Sequence, residues 1–160
     1  MQISMQPIAT VHSPYTRTGE RIPRREIIAD IHIYEALAPA LTGIEEWSHL
    51  FVIFWMHELA SAPLRLTTHP RHRTDLPEVG VLAARGRERP NPIGLAVVEL
   101  LERKGAVLRV RGLDAYDGTP VLDIKPYDQY DAIKELRAPQ WWLSVANLTQ
   151  VTPSTLAGKD

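Results

Sequence analysis

Hydrophobic and polar positions alternate along this chain in short stretches, each cut off by proline or turn residues. Ile27, Ala29, Ile31 and Ile33 alternate with Ile28, Asp30 and His32, the period of a strand with one buried face. Residues 7–12 read as an earlier strand, stopped by Ser13-Pro14. Residues 48–57 are dense in β-branched and aromatic side chains and read as a central strand, its aromatics as core. A short strand is expected over 79–84. Two β runs, 93–102 and 106–115, surround Lys104-Gly105 as a hairpin. A second turn, Asp117-Gly118-Thr119-Pro120, leads into a strand over 121–125. On that strand Asp123 and Lys125 are expected to share one face and pair, with Leu122 and Ile124 on the other.

Helical spacing is sparse. Residues 34–41 suggest a short helix around Pro39, and Tyr130, Ile133, Leu136 and Arg137 suggest one over 128–137. Trp141-Trp142-Leu143 open a last apolar segment, and residues 153–160 read as a frayed, disordered tail. Many short strands joined by turns predict a mostly β fold with short helices, either a barrel or a sandwich. Two stretches stand outside this pattern. Residues 15–25 form a basic loop holding Arg17, Arg21, Arg24 and Arg25, and residues 62–77 form a long loop broken by Pro63, Pro70 and Pro77. A loop of that length in a compact domain is functional or disordered.

Composition narrows the function. With 160 residues, 44% hydrophobic and 23% charged, the chain has the length and make-up of one folded domain. A formal net charge of −1 gives no global basic field, so any nucleic-acid contact must come from local clustering. The absence of cysteine removes disulfides, cysteine zinc sites, iron–sulfur clusters and thiol nucleophiles, and suits a reducing cytoplasm. No signal peptide is expected from the N-terminal residues. The longest apolar run, residues 50–56, is far short of the roughly 18 residues a membrane span needs.

Neither G-x-G-x-x-G nor G-x-x-x-x-G-K-[ST] occurs, so Rossmann and P-loop chemistry are not expected. His57-Glu58 begins a zincin-like motif, but Ser61 stands where the second ligand should be, and no metal site is expected. Three strings carry more. In Arg85-Gly-Arg87-Glu-Arg89-Pro90-Asn91-Pro92-Ile93-Gly94, arginines at alternate positions approach a backbone stiffened by prolines, which suits anion or nucleotide recognition. Around Asp117-Gly118, the turn's backbone amides and the Asp117 carboxylate are expected at a pocket rim if the strand lines a barrel mouth. Arg65, Arg71, Arg73, Arg85, Arg87 and Arg89 fall within 25 residues, a local excess of the kind a phosphate backbone meets.

Taken in order, Ile8-Ala-Thr-Val-His-Ser-Pro14-Tyr15, Pro23-Arg24, Gly43-Ile44, Trp47-Ser-His-Leu50, His57, Arg85, Arg89-Pro-Asn-Pro-Ile-Gly-Leu95, Asp117-Gly-Thr-Pro120 and Asp123-Ile-Lys-Pro-Tyr127 resemble the TsaA-like (TrmO, YaeB, VirR) family. The resemblance covers roughly residues 5–130. It implies a single YaeB-like β-barrel domain over 5–130 rather than a Rossmann sheet; residues 131–152 read, from spacing and the Trp141-Trp142 run, as a C-terminal helix and apolar extension. It also implies a cytoplasmic, homodimeric, S-adenosylmethionine-dependent methyltransferase. The implied reaction is N6-methylation of N6-threonylcarbamoyladenosine beside the anticodon of a tRNA. The cofactor contacts it implies are Pro23, Arg24, Arg25, His57, Glu58, Arg85, Leu95, Asp117, Gly118, Thr119 and Pro120. Arg25 and Glu58 stand where the family usually has glutamine, and Ala84 precedes Arg85 where Thr or Ser is common. By placement, Asn91 and Asp117 are candidates for the base or acceptor at the target nitrogen, and Arg87 and Arg89 for contacts to RNA phosphate or a substrate carboxylate. Methyl transfer to another RNA or a small molecule, and a non-catalytic S-adenosylmethionine-binding module, are the rival readings.

Overall fold

A computed structural model describes residues 2–19, 22–59 and 63–148, with side chains through Val145. Its contacts divide the chain into two compact units. One joins Met1–Arg65 to Arg87–Tyr127; the other joins Leu66–Gly86 to Asp128–Asp160.

In chain order the strands are β1 (Ala9–His12), β2 (Ile28–Ile33), β3 (His49–Trp55), β4 (Thr67–Thr68), β5 (Val79–Gly80), β6 (Ile93–Lys104), β7 (Val107–Arg111) and β8 (Pro120–Pro126). The first unit is a closed barrel in the order β1-β2-β7-β6-β3-β8, and every neighbouring pair is antiparallel. Closure follows from the alternation. Val11, Ile31, Leu50, Val52, Leu108, Val110 and Val121 point inward and are fully buried, with Ala9, Ala29 and Ala96 between them. Small residues among branched ones let a narrow barrel fill its own interior. Gly94 is the tightest point of this packing, since a Cβ built on it would lie 2.2 Å from the buried Phe54 ring.

The hairpin around Lys104-Gly105 forms as expected, with Gly105 at φ +59°, a conformation that favours glycine. On β8 the expected pattern shifts. Ile53 pairs with Asp123 but Phe54 pairs with Val121, so Leu122 is an extra residue in that strand. This bulge turns Val121 and Ile124 toward the core in place of Leu122 and Ile124. Asp123 and Lys125 do pair, at 3.1 Å.

Other expectations give way. Residues 34–41 form a 3₁₀ helix, Glu35–Leu41, containing Pro39, which cannot donate a helical hydrogen bond. No helix spans 128–137; a single 3₁₀ turn, Gln129–Asp131, forms where the Asp128 carboxylate accepts from the Tyr130 amide at 2.6 Å. Tyr130, Ile133 and Leu136 are 90%, 66% and 47% exposed, so their helical spacing has no core to bury against. The expected strand over 79–84 is β5 alone, followed by a 3₁₀ turn, Val81–Ala83.

The long loop is not structureless in the second unit, because β4 pairs with β5 there. The His69 ring lies 2.9 Å from the Leu76 carbonyl. Hydrogen bonding to Arg73 holds the Asp75 carboxyl below the usual carboxylate range. The C-terminal helix α1 (Gln140–Leu148) carries Trp142, whose ring lies 5.8 Å from the Arg71 guanidinium and 5.9 Å from that of Arg85. The tail over 153–160 lies outside the described residues.

Candidate functional site

Strand direction decides where the site lies. Because neighbouring strands are antiparallel, the ends of β1, β3 and β7 meet the starts of β2, β6 and β8 at one end of the barrel. Register confirms this: His12 pairs with Asp30, Ile28 with Arg111, Trp55 with Ile93 and Phe54 with Val121. That end therefore gathers Pro23-Arg24-Arg25 before β2, His57-Glu58 after β3, Arg89-Pro90-Asn91 before β6 and Asp117-Gly118-Thr119-Pro120 at the start of β8. These segments are far apart in sequence, and closure of the barrel makes them neighbours.

Each is held by its own bonds. A 3₁₀ turn, Arg24–Glu26, leads into β2. From it, the Arg24 guanidinium reaches across to the end of β7, where Nε donates to the Gly112 carbonyl at 3.0 Å and lies 3.7 Å from the Asp114 carboxylate. His57 opens a second 3₁₀ turn, His57–Leu59. Arg17, in the loop after β1, lies 3.8 Å from the Glu58 carboxylate. Since β8 stands between β1 and β3 in the barrel, the basic loop reaches past the start of β8. The Ser13 amide donates to Asp117 Oδ1 at 3.0 Å.

The amides of the 117–120 turn are committed internally: Asp117 to Tyr15, Gly118 to Val11 and Thr119 to Tyr116, at 2.9–3.1 Å. Thr119 is 2% exposed. The turn thus offers a ligand the remaining Asp117 oxygen and the open face of Gly118, where a Cβ would meet nothing within 4 Å. Asn91 and Asp117 precede the strands on either side of β3.

Not every predicted residue joins this ring. Leu95 lies on the outer wall of β6, paired with Ile53 and 59% exposed. Arg85 belongs to the second unit, with Trp142. Arg87 and Arg89 line a groove of about 80 Å³ together with Arg65, another member of the arginine cluster read from the sequence. Arg17, Ser13 and Asp114 were missed as site residues; only the basic character of the 15–25 loop pointed to the first.

The outer wall carries a further surprise. Phe51, Ile53 and Trp55 alternate with the buried core of β3 and face outward, opposite Val97, Leu95 and Ile93 of β6. The aromatics of β3 are therefore only partly core. Ile93, Leu95 and Val97 are 36%, 59% and 38% exposed, so the wall presents a contiguous apolar face.

The residues suit S-adenosylmethionine. The exposed Gly118 turn leaves room for a ligand against the backbone. Of the residues at this end, Arg24 has the charge that would meet the cofactor's carboxylate, and Glu58 the charge that would meet its ammonium.

The family model described as tRNA-methyltransferase O N-terminal domain matches residues 10–132. The chain belongs to that family of S-adenosylmethionine-dependent methyltransferases. It is 40% identical to a probable S-adenosyl-L-methionine-binding protein of Methanothermobacter thermautotrophicus, across 85% of this chain and 96% of that one. It is 35% identical to the tRNA (adenine(37)-N6)-methyltransferase of Escherichia coli, across 76% of this chain and 56% of that one. A crystal structure of TrmO from Pseudomonas aeruginosa superposes with a TM-score of 0.69 at 32% identity, covering 86% of this chain and 61% of that one. The chain thus spans nearly all of the archaeal relative and under two thirds of the two bacterial ones.

Proposed function

We propose that this chain methylates N6 of an adenine in tRNA, the substrate being N6-threonylcarbamoyladenosine beside the anticodon, and that it does so in the cytoplasm as a homodimer. The observation that carries the reading is the convergence of Arg24, His57-Glu58, Asn91 and Asp117-Gly118 on one barrel end. Pro23, Arg24, Arg25, His57, Glu58 and the 117–120 turn are the proposed cofactor contacts at that end. Leu95 and Arg85 are proposed on their motifs alone.

S-adenosylmethionine supplies a methyl group on a positively charged sulfur when bound. The chain's own residues do the rest. The Asp117 oxygen not engaged by Ser13 accepts from the single target N–H and takes up its proton as the nitrogen gains the methyl group. The Asn91 side-chain amide donates to a neighbouring acceptor of the substrate and orients it. Such positioning accounts for much of the acceleration. Incubation with methyl-labelled cofactor and unfractionated tRNA tests the reading. Label is expected in the RNA, and a cofactor-binding protein that leaves every tRNA unlabelled would contradict it.

The homodimer rests on the apolar face of Phe51, Ile53, Trp55, Ile93, Leu95 and Val97. Burying such a face against a second copy removes apolar surface from water at about 25 cal/mol per Å². Leu95→Glu is expected to convert a dimer to a monomer in sedimentation while leaving the thermal transition within a few degrees. A wild-type chain that sediments as a monomer would remove this part of the proposal.

A further inference from the structure

The groove beside the barrel end has no role in the reading above beyond Arg87 and Arg89. Its lining includes Arg65, Arg87, Arg89, Leu59, Pro90 and Pro92. At about 80 Å³ it is much smaller than the ~300 Å³ or more that pockets for small molecules and cofactors occupy. It has room for one small group.

Its charge is one-sided. Three arginines line it, and Glu88 is the sole acidic lining residue. Among the described residues, neither Arg65 nor Arg87 has a carboxylate within ion-pair distance. Three cations against one anion leave the lining net positive, which favours a bound anion. The walls are apolar and stiff, with proline on both sides of Asn91. The Met56 amide donates to the Pro92 carbonyl at 2.7 Å, pinning the groove to the end of β3. An anion bound there meets a preorganised site.

We infer that this groove binds one phosphodiester of the RNA strand, with the attached sugar against its proline and leucine walls, and that Arg65 is a phosphate contact. The inference deepens the tRNA reading and rests on it. Arginine suits the task because its planar fork matches two phosphate oxygens at once. Asn91 lies between the two proline walls, so a nucleotide presented to Asn91 has a neighbouring phosphate within reach of the groove. The substrate's carboxylate has the same chemistry as a phosphate, and the test separates the two.

The test is binding of an anticodon stem-loop RNA across a salt series, with Arg65→Ala, Arg65→Lys and the wild type. The RNA is used both with and without the threonylcarbamoyl group. Arg65→Ala is expected to weaken binding about tenfold at low salt and to reduce the log–log salt slope by about one, equally for both RNAs. Lysine is expected to restore the slope but only part of the affinity. S-adenosylmethionine affinity, read by calorimetry, should be the same in all three and shows that each is folded. An unchanged slope in Arg65→Ala overturns the groove assignment, as does a loss confined to the modified RNA, which would place the carboxylate there instead. A wild type that binds the cofactor but neither RNA overturns the tRNA reading itself, and the groove with it.

Discussion

Gly94→Ala is expected to destabilise the protein by about 1–3 kcal/mol, and Gly94→Val by more. Gly94 faces the barrel interior opposite Phe54. The added Cβ would lie 2.2, 2.3 and 2.7 Å from three atoms of the Phe54 ring. Phe54 is 6% exposed and belongs to the core cluster, so the ring has little space to retreat into. The backbone at Gly94 is ordinary extended strand, so the cost is one of volume. Thermal unfolding should fall by several degrees. Combining Gly94→Ala with Phe54→Leu should recover part of the loss, because the two changes share one cavity. A Gly94→Ala chain that melts with the wild type would mean that strand and ring are not packed this way. The site should suffer too, since Gly94 is one residue into the strand whose start carries Asn91.

Arg24→Ala is expected to reduce S-adenosylmethionine affinity at least about tenfold while leaving the fold intact. The side chain lies outside the buried core cluster and is about a third exposed. Its Nε bond to Gly112 and its approach to Asp114 fix the guanidinium across the β2 and β7 ends, leaving the outer N–H groups for a carboxylate. A hydrogen bond to a charged group is worth about 1.5–3 kcal/mol, hence the tenfold or greater loss. Arg24→Lys should not restore it, because an ammonium cannot both anchor to Gly112 and present a fork to the ligand. Calorimetric titration checks both variants. Unchanged affinity in Arg24→Ala would move the cofactor's carboxylate elsewhere.

Local signals account for much of the barrel. The alternation at 27–33 and the Lys104-Gly105 hairpin were legible because a half-buried strand and a glycine turn each impose a pattern over a few residues. The bulge at Leu122 was not, since it answers to the register of β3 and leaves no mark in residues 120–126. Tyr130, Ile133 and Leu136 misled for the opposite reason: spacing describes a helix face, and only tertiary packing decides whether anything covers it. In the site, His57-Glu58 and the Asp117-Gly118 turn were readable as motifs, but their convergence was not. Barrel closure brings them together, and it also places Arg17 beside Glu58 and Arg65 beside Arg87. The outer apolar face did leave a trace. Residues 50–56 run without alternation, which is the pattern of a strand whose two faces are both covered.

The most direct test of the account is a digest of tRNA after incubation with the protein and methyl-labelled S-adenosylmethionine, followed by separation of the nucleosides. The RNA should come from cells that carry threonylcarbamoyladenosine but lack its methylated form. The account predicts label in one nucleoside, the N6-methylated form of threonylcarbamoyladenosine, and none when Asn91→Ala and Asp117→Ala are combined. Label in any other nucleoside, or cofactor binding with no transfer to RNA, would contradict it.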